Sequence, residues 1–302
     1  MSKKILLTGA NGLLGQKLVE LITATNEFEL IATGRGTNRL PFQHGYTYLS
    51  LDITDKHAVN EAFTSHKPTI VIHGAAMTNV DQCELEKEAC WIQNVIATKN
   101  IAEAAQVHNS FLIHLSTDFI FDGNKGPLTE DEKPAPISFY GYSKLAAEEL
   151  IIKMTDLRWS IARTVLVYGI AHDMSRTNII LWVKKSLEDK KNIKVVDDQW
   201  RTPTLAEDLA MGCYLIAQKE AIGIFNISGK DFLNPYQMAM KVVDFFKLDS
   251  SYITKADSST FTQPAMRPPK TGFIIDKAQK ELGYNPHSFD EGIAILARQM
   301  AK

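Results

Sequence analysis

At 302 residues the chain is long enough to bury a full core, as one large domain or two modest ones. Its 45% hydrophobic and 23% charged composition is that of an ordinary soluble protein, and a formal net charge of −2 gives no electrostatic case for nucleic acid or an anionic membrane. No apolar run approaches the length of a membrane span, and a strand that opens within a few residues of the N-terminus leaves no room for a signal peptide. Three cysteines (Cys83, Cys90, Cys213), an odd number without ligand spacing, fit a reduced cytoplasmic setting; eight histidines without a clustered motif predict no catalytic metal.

The stretch Lys3 to Gly15, KKILLTGANGLLG, organises the rest of the chain. Ile5, Leu6 and Leu7 read as a buried parallel strand, and Leu13, Leu14, Leu18, Leu21 and Ile22 as the inner face of a helix. Between them Gly9, Gly12 and Gly15, with Asn11 and Leu13, form a tight turn that lets a pyrophosphate approach the backbone at a helix N-terminus. The spacing G-x-x-G-x-x-G, between a strand and a helix, predicts a dinucleotide site.

Strand 28–33 runs into Gly34-Arg35-Gly36, where a dinucleotide fold meets the adenosine ribose. An acid there would favour NAD; the chain offers Arg35 instead, which predicts a preference for NADP(H), with NAD(H) admitted and a solvated loop arginine as the alternative. Strand 46–51 ends at Asp52-Ile53, expected at the adenine, and helix 55–65 and strand 69–73 come next. Gly74-Ala75-Ala76 would let the cofactor lie close to the strand ends, and His73 reads as a satisfied strand-end histidine. One long helix is expected from about Gln82 to Val107, then strand 110–115. This alternation predicts a doubly wound parallel sheet of the Rossmann type.

Ser116-Thr117-Asp118-Phe119 falls at the carboxyl edge of that sheet, and a loop over 122–137 leads to a helix carrying Tyr140 and Lys144. Four residues apart, these two share a helical face; an ammonium near a phenol would lower its pKa and let it give or take a proton at neutral pH, as hydride transfer to or from a carbonyl requires. After strand 159–163 comes a segment with Arg176 and Asn178, a helix 179–190, strand 194–196, and Asp198-Gln199-Trp200-Arg201. An exposed tryptophan beside an arginine suits a nucleotide base and its diphosphate; a tryptophan plugging a domain junction is the alternative. Helix 205–218 and strand 223–227 should return to the main sheet, Asn234-Pro235 should cap a helix, and helices 277–282 and 288–301 should cover the C-terminal end. The domain expectation is a dinucleotide-binding unit over 1–166, rejoined by 204–228, and a smaller, discontinuous substrate domain within 167–302.

The motifs at Thr8–Gly15, Ser116–Asp118 and Tyr140–Lys144 resemble the extended short-chain dehydrogenase/reductases. Within them AMTNVDQCE (76–84), STDFIFDG (116–123), RTVLVYG (163–169) and DQWRTPT (198–204) resemble the dTDP-4-dehydrorhamnose reductase branch. The resemblance implies that Tyr140 is the general acid, that Lys144 holds the nicotinamide ribose, and that Thr117 bonds the substrate oxygen. It places Thr78 and Val80 near the sugar, Thr78 also against the cofactor, and Arg267 of the Arg267-Pro268-Pro269 loop near the substrate. Asn94 resembles the family's structural or relay asparagine, with a buried helical polar residue as the alternative. Asn178, Trp200 and Arg201 complete the expected substrate set; Leu166, Arg201 and Asn226 depart from the branch's usual tryptophan, glycine and histidine.

The activity so implied is an NAD(P)H-dependent reduction of a nucleotide-linked 4-keto-deoxysugar, as in dTDP-rhamnose biosynthesis, with the nucleotide sugar as partner and a homodimer allowed. An NAD-dependent epimerase is one alternative. Dehydration is disfavoured because Phe119 stands where dehydratases of this fold carry a glutamate. A non-catalytic dinucleotide-binding subunit, resembling the regulatory subunit of methionine adenosyltransferase, is the other.

Overall fold

The computed structural model describes residues 3–173 and 177–301. In chain order the first half runs β1 (Lys4–Thr8), α1 (Leu13–Thr25), β2 (Glu29–Gly34), β3 (Thr47–Ser50), α2 (Lys56–His66), β4 (Ile70–His73), α3 (Val80–Leu85), α4 (Lys87–Trp91), a π-helical turn (Ile92–Ile96), α5 (Ala97–Val107), β5 (Phe111–Thr117), α6 (Phe139–Ile152) and β6 (Trp159–Thr164). The second half adds β7 (Val167–Tyr168), α7 (Ile179–Glu188), β8 (Ile193–Val196), β9 (Thr204–Leu205), α8 (Ala206–Lys219), β10 (Gly223–Asn226), α9 (Pro235–Phe246), β11 (Ile253–Ala256), α10 (Asp276–Leu282) and α11 (Phe289–Met300).

Seven strands form one parallel sheet in the order β10-β6-β5-β4-β1-β2-β3. The chain moves outward from β1 to β3, then returns to β4 on the other side. The reversal opens a crevice beyond the carboxyl ends of β1 and β4, where open α/β sheets bind ligands. Register brings Thr8 beside Thr33 and His73, and His73 beside His114, so the strand ends form one rim.

Strand residues point alternately to two cores. Ile5, Leu7, Ile72 and Ile113 pack with Leu18 and Ile22 of α1 and Leu209 of α8, whereas Leu6, Val71 and Leu112 pack with Phe63 of α2 and Ile101 of α5. Burial on both faces explains the uninterrupted apolar runs of these strands. A third core joins Ile180 and Val183 of α7, Met238 and Val242 of α9, and Ile293 and Leu296 of α11. Two short parallel pairs, β8 with β11 and β7 with β9, accompany it. The predicted Asn234 cap is a full capping box with Gln237. Among the described residues no helix is long and apolar enough to cross a membrane.

One element departs from expectation. The single helix expected over 82–107 is interrupted at Glu86, whose backbone leaves the helical region, and again by the π turn. One inserted residue rotates the following side chains without disturbing the spacing of apolar residues enough to be seen in the sequence.

Candidate active site

The main cleft, of about 1000 Å³, lies along the carboxyl ends of the sheet. Its floor is the first turn. Gly9 adopts φ +78°, and a Cβ there would stand 3.0 Å from the Ala75 nitrogen; at Gly15 a Cβ would reach 2.2 Å from the Gly9 carbonyl oxygen. Gly12 begins α1 with no side chain capping it, so the helix presents its first N–H groups to the cleft. A bare backbone cradle at an uncapped helix N-terminus fits a pyrophosphate. Leu13 lines the same turn. The Asn11 side chain is spent on protein: it donates to Tyr48 Oη (3.0 Å) and the Thr37 carbonyl (3.1 Å) and accepts from the Arg39 N–H (3.0 Å). It thereby fixes the loop after β2.

That loop carries Arg35, exposed on the rim, and also Arg39, which sequence reasoning did not single out. The Arg39 guanidinium lies 3.6 Å from Asp173. A second arginine four residues after the first was the available signal. At the expected adenine position Ile53 lines the cleft, but the Asp52 carboxylate turns into its own loop. There it accepts from the Thr54 N–H (2.9 Å) and hydroxyl (2.7 Å), bonds that hold it below the usual carboxylate range.

At the other end of the cleft, Ala75, Ala76, Thr78 and Val80 after β4 face Thr117 at the end of β5 and Tyr140 and Lys144 on α6. Ser138 caps α6 by accepting from the Gly141 N–H, and the Phe139 N–H donates to Glu84, which fixes where the helix starts. Tyr140 and Lys144 are 8% and 3% exposed. Burial pushes the Tyr140 phenol above its ordinary value; a hydrogen bond with Thr117 opposes this and the nearby Asp118 charge reinforces it. The expectation that Lys144 acidifies Tyr140 is therefore corrected: burial decides the direction, and the Lys144 Nζ is engaged 3.1 Å from His114 Nε2. Burial also lowers Lys144 itself to about 8, with the Glu148 carboxylate in partial opposition. Behind it, His73 bonds Thr8 Oγ1 (2.8 Å) and Thr98 Oγ1 (3.1 Å) and is lowered by burial to about 3, so it is a neutral strand-end histidine.

Asn94 is turned inward by the π segment. Its Oδ1 accepts from the Met77 N–H (2.8 Å), while Nδ2 donates to the Met77 carbonyl (3.1 Å) and to Ser143 Oγ (2.9 Å). Ser143 in turn donates to the Tyr140 carbonyl (2.7 Å). The amide thus clamps the 77–80 loop to the helix of Tyr140.

The expected substrate residues divide. Thr78 and Val80 line the cleft. Asn178 caps α7, accepting from the Ile180 and Leu181 N–H groups (both 3.1 Å) and donating to the Gly169 carbonyl (2.7 Å). It faces a side pocket of about 310 Å³ with Tyr168, Trp182 and Leu166, and Leu166 also borders the main cleft. Arg176 lies outside the described residues. Trp200 is half-buried against Phe232, ring centroids 5.4 Å apart, rather than exposed. Arg201 is 5% exposed, with its guanidinium already held by the carbonyls of Trp200, Pro268 and Pro269, so the expected diphosphate contact is corrected: no donor face is left toward solvent. Arg267 pairs with Asp81 through Nη2–Oδ2 at 2.7 Å and Nη1–Oδ1 at 3.2 Å. Among the described residues no three His, Cys, Asp or Glu side chains converge on a metal-sized site.

Comparison with known proteins places this geometry. The model of the RmlD substrate binding domain matches residues 3–302. The chain is 30% identical to a dTDP-4-dehydrorhamnose reductase of Aggregatibacter actinomycetemcomitans over 96% of its length and 97% of that protein. It is 29% identical to the rat methionine adenosyltransferase 2 subunit beta over 83% of its length and 75% of that protein. Among solved structures, the dTDP-4-dehydrorhamnose reductase of Bacillus anthracis in complex with NADP superposes with a TM-score of 0.85 at 26% identity, covering 99% of this chain and all of that one. The WbmG enzyme of Bordetella bronchiseptica, in complex with NAD, shares the fold at 23% identity and TM-score 0.85, covering 100% of this chain and 94% of that one. The continuous match from the glycine turn to the last helix shows that the chain belongs to the RmlD substrate binding domain family.

Proposed function

We propose that the protein is an NADPH-preferring reductase of a nucleotide-linked 4-keto-deoxysugar. The observation that carries this reading is the convergence of Thr117, Tyr140 and Lys144 on the cleft that begins at the glycine turn. The backbone of Gly9, Gly12 and Gly15 would cradle the pyrophosphate, Arg35 and Arg39 would take the 2′-phosphate, and Ile53, Ala75, Ala76 and Thr78 would line the path to the reacting end. When bound, the dinucleotide supplies the hydride.

The chain's own groups handle the proton and the charge. Tyr140, kept protonated by burial, donates its phenolic hydrogen to the carbonyl oxygen as alkoxide character develops. Lys144 adds positive charge near that oxygen and Thr117 offers a hydroxyl, so negative charge forms in a water-poor site already lined with donors. Thr78 and Val80, at the mouth, would contact the sugar. The third core, within 167–302, would form the substrate side, with 204–228 rejoining the dinucleotide unit. A reduced cytoplasmic setting suits its three buried free thiols.

A spectrophotometric NADPH-oxidation screen over nucleotide-linked 4-keto sugars tests the reading. Turnover with at least one supports it, and inertness toward all contradicts it. The likeness to the methionine adenosyltransferase subunit favours a second reading, a dinucleotide-binding regulatory module. It predicts copurification with a synthetase subunit and no keto-sugar turnover.

A further inference from the structure

Burying an arginine is costly unless its charge is matched. Arg201 donates through Nη1 to the Trp200 carbonyl (2.8 Å) and the Pro269 carbonyl (3.2 Å), and through Nη2 to the Pro268 carbonyl (2.7 Å). Carbonyls satisfy donors without neutralising charge. The facing carboxylate is Asp118, whose Oδ2 lies 3.5 Å from Arg201 Nε, with the Phe119 ring against the guanidinium. Arg267, a like charge acting on Arg201, is itself paired with Asp81.

Asp118 in turn collects two hydroxyl hydrogens. Thr117 Oγ1 donates to Oδ1 at 3.1 Å, and the Thr271 hydroxyl donates to Oδ2. A hydroxyl has one hydrogen. While Thr117 gives it to Asp118, the Thr117 oxygen can only accept, as it does from the Phe119 N–H (3.3 Å), whereas a bond from the Thr117 hydroxyl to Tyr140 favours the phenolate. Once Tyr140 has passed its proton to a substrate oxygen, the phenolate needs a donor. Thr117 can become that donor by swinging its hydrogen away from Asp118, and how firmly Asp118 holds that hydrogen depends on the guanidinium.

We infer that Arg201 is a positioning residue of the reaction centre: acting through Asp118, it sets which way the Thr117 hydroxyl donates, and so whether Tyr140 finds a hydrogen-bond donor when it loses its proton. The inference rests on Tyr140 being the acid. The electrostatics agree in sign. Burial raises Asp118, and Arg201, first among the opposing influences, with the Thr271 and Thr117 hydroxyls lowers it. The charged and titratable groups acting on Tyr140 are Asp118, Cys83 and Cys90, all of which raise it.

The test is a double-mutant cycle of R201M and D118N on the full chain, read by kinetics and by carboxyl carbon NMR of aspartate-labelled protein, with D118N assigning the Asp118 signal. R201M should move the Asp118 titration to higher pH; an unmoved titration overturns the inference. R201M should lower kcat about tenfold while changing KM for NADPH less than threefold. With D118N already present, adding R201M should cost less than threefold, because no carboxylate is left to balance. An equal tenfold loss in both backgrounds would mean that Arg201 serves only to hold the Pro268-Pro269 carbonyls, and would overturn it. If R201M alone does not fold, the comparison of D118N with the double variant still decides between these outcomes, and R201K, which keeps the charge, should retain most of kcat. The NMR titration needs no substrate, so a failure of Tyr140 as the acid, seen as undiminished turnover in Y140F, is distinguishable from a failure of Arg201 to act on Asp118.

Discussion

Lys144 offers a measurable conflict between stability and function. Its ammonium is 3% exposed, bonds His114 Nε2, and is lowered by burial from 10.5 to about 8. A folded-state value below the unfolded one means that, between about pH 8 and 10.5, the unfolded chain binds more protons; native stability therefore rises with pH across that window. Below it, the charged lysine destabilises the native state by about 3 kcal/mol at 1.36 kcal/mol per pH unit. Lys144→Met removes the penalty but leaves the buried His114 nitrogen without its partner, a loss of about 1 kcal/mol. The net gain near pH 7 is about 2 kcal/mol. At about 2.1 cal/mol/K per residue over 302 residues, that raises Tm by about 3 °C. Paired melts of the wild type and K144M from pH 7 to 10 would show the variant more stable at pH 7, the gap closing as pH rises, and turnover down by about a hundredfold or more. A variant less stable at pH 7, with a gap independent of pH, would refute the reasoning.

Individual contacts set further outcomes. Arg35→Asp should weaken NADPH about 10- to 100-fold in a fluorescence titration and leave NADH nearly unchanged; equal losses for both would remove Arg35 from the 2′-phosphate. Gly15→Ala, which drives a Cβ to 2.2 Å from the Gly9 carbonyl, should weaken both dinucleotides alike, and unchanged binding would mean that the turn is not the cradle. Glu148→Gln removes the carboxylate charge facing the buried Arg163 guanidinium and turns one of the two oxygens that accept its bonds of 2.7 and 3.1 Å into an amide donor, and should cost about 3–5 kcal/mol in a denaturant titration. A loss below about 1 kcal/mol would show that the pair is not working as a buried ion pair.

Features carried by local spacing were legible in the sequence. The glycine turn follows an apolar strand by one residue, the strands read as continuous apolar runs, and Tyr140 and Lys144 stand one helical turn apart. Features set by distant partners were not. Arg267 finds Asp81 across 186 residues and Lys144 finds His114 across 30, so neither the closed ion pair nor the lysine's depressed basicity has a local signature. Arg201 read as a surface diphosphate ligand because composition does not reveal that three carbonyls and a carboxylate surround it. The π turn escaped for another reason: one extra residue barely alters apolar spacing, yet it aims Asn94 at the Met77 backbone. Arg39 sits in a loop, where no periodicity marks which side chains face a cleft.

The central claim is that the cleft moves a hydride onto a sugar carbon while Tyr140 supplies the proton. Its most direct test is to incubate the protein with NADPH carrying deuterium at the transferring position and a nucleotide-linked 4-keto-6-deoxysugar, then weigh the sugar product. The account predicts a hydroxyl product bearing one deuterium, formed about a hundredfold more slowly by Y140F. Unlabelled product, or equal labelling rates in Y140F, would contradict it.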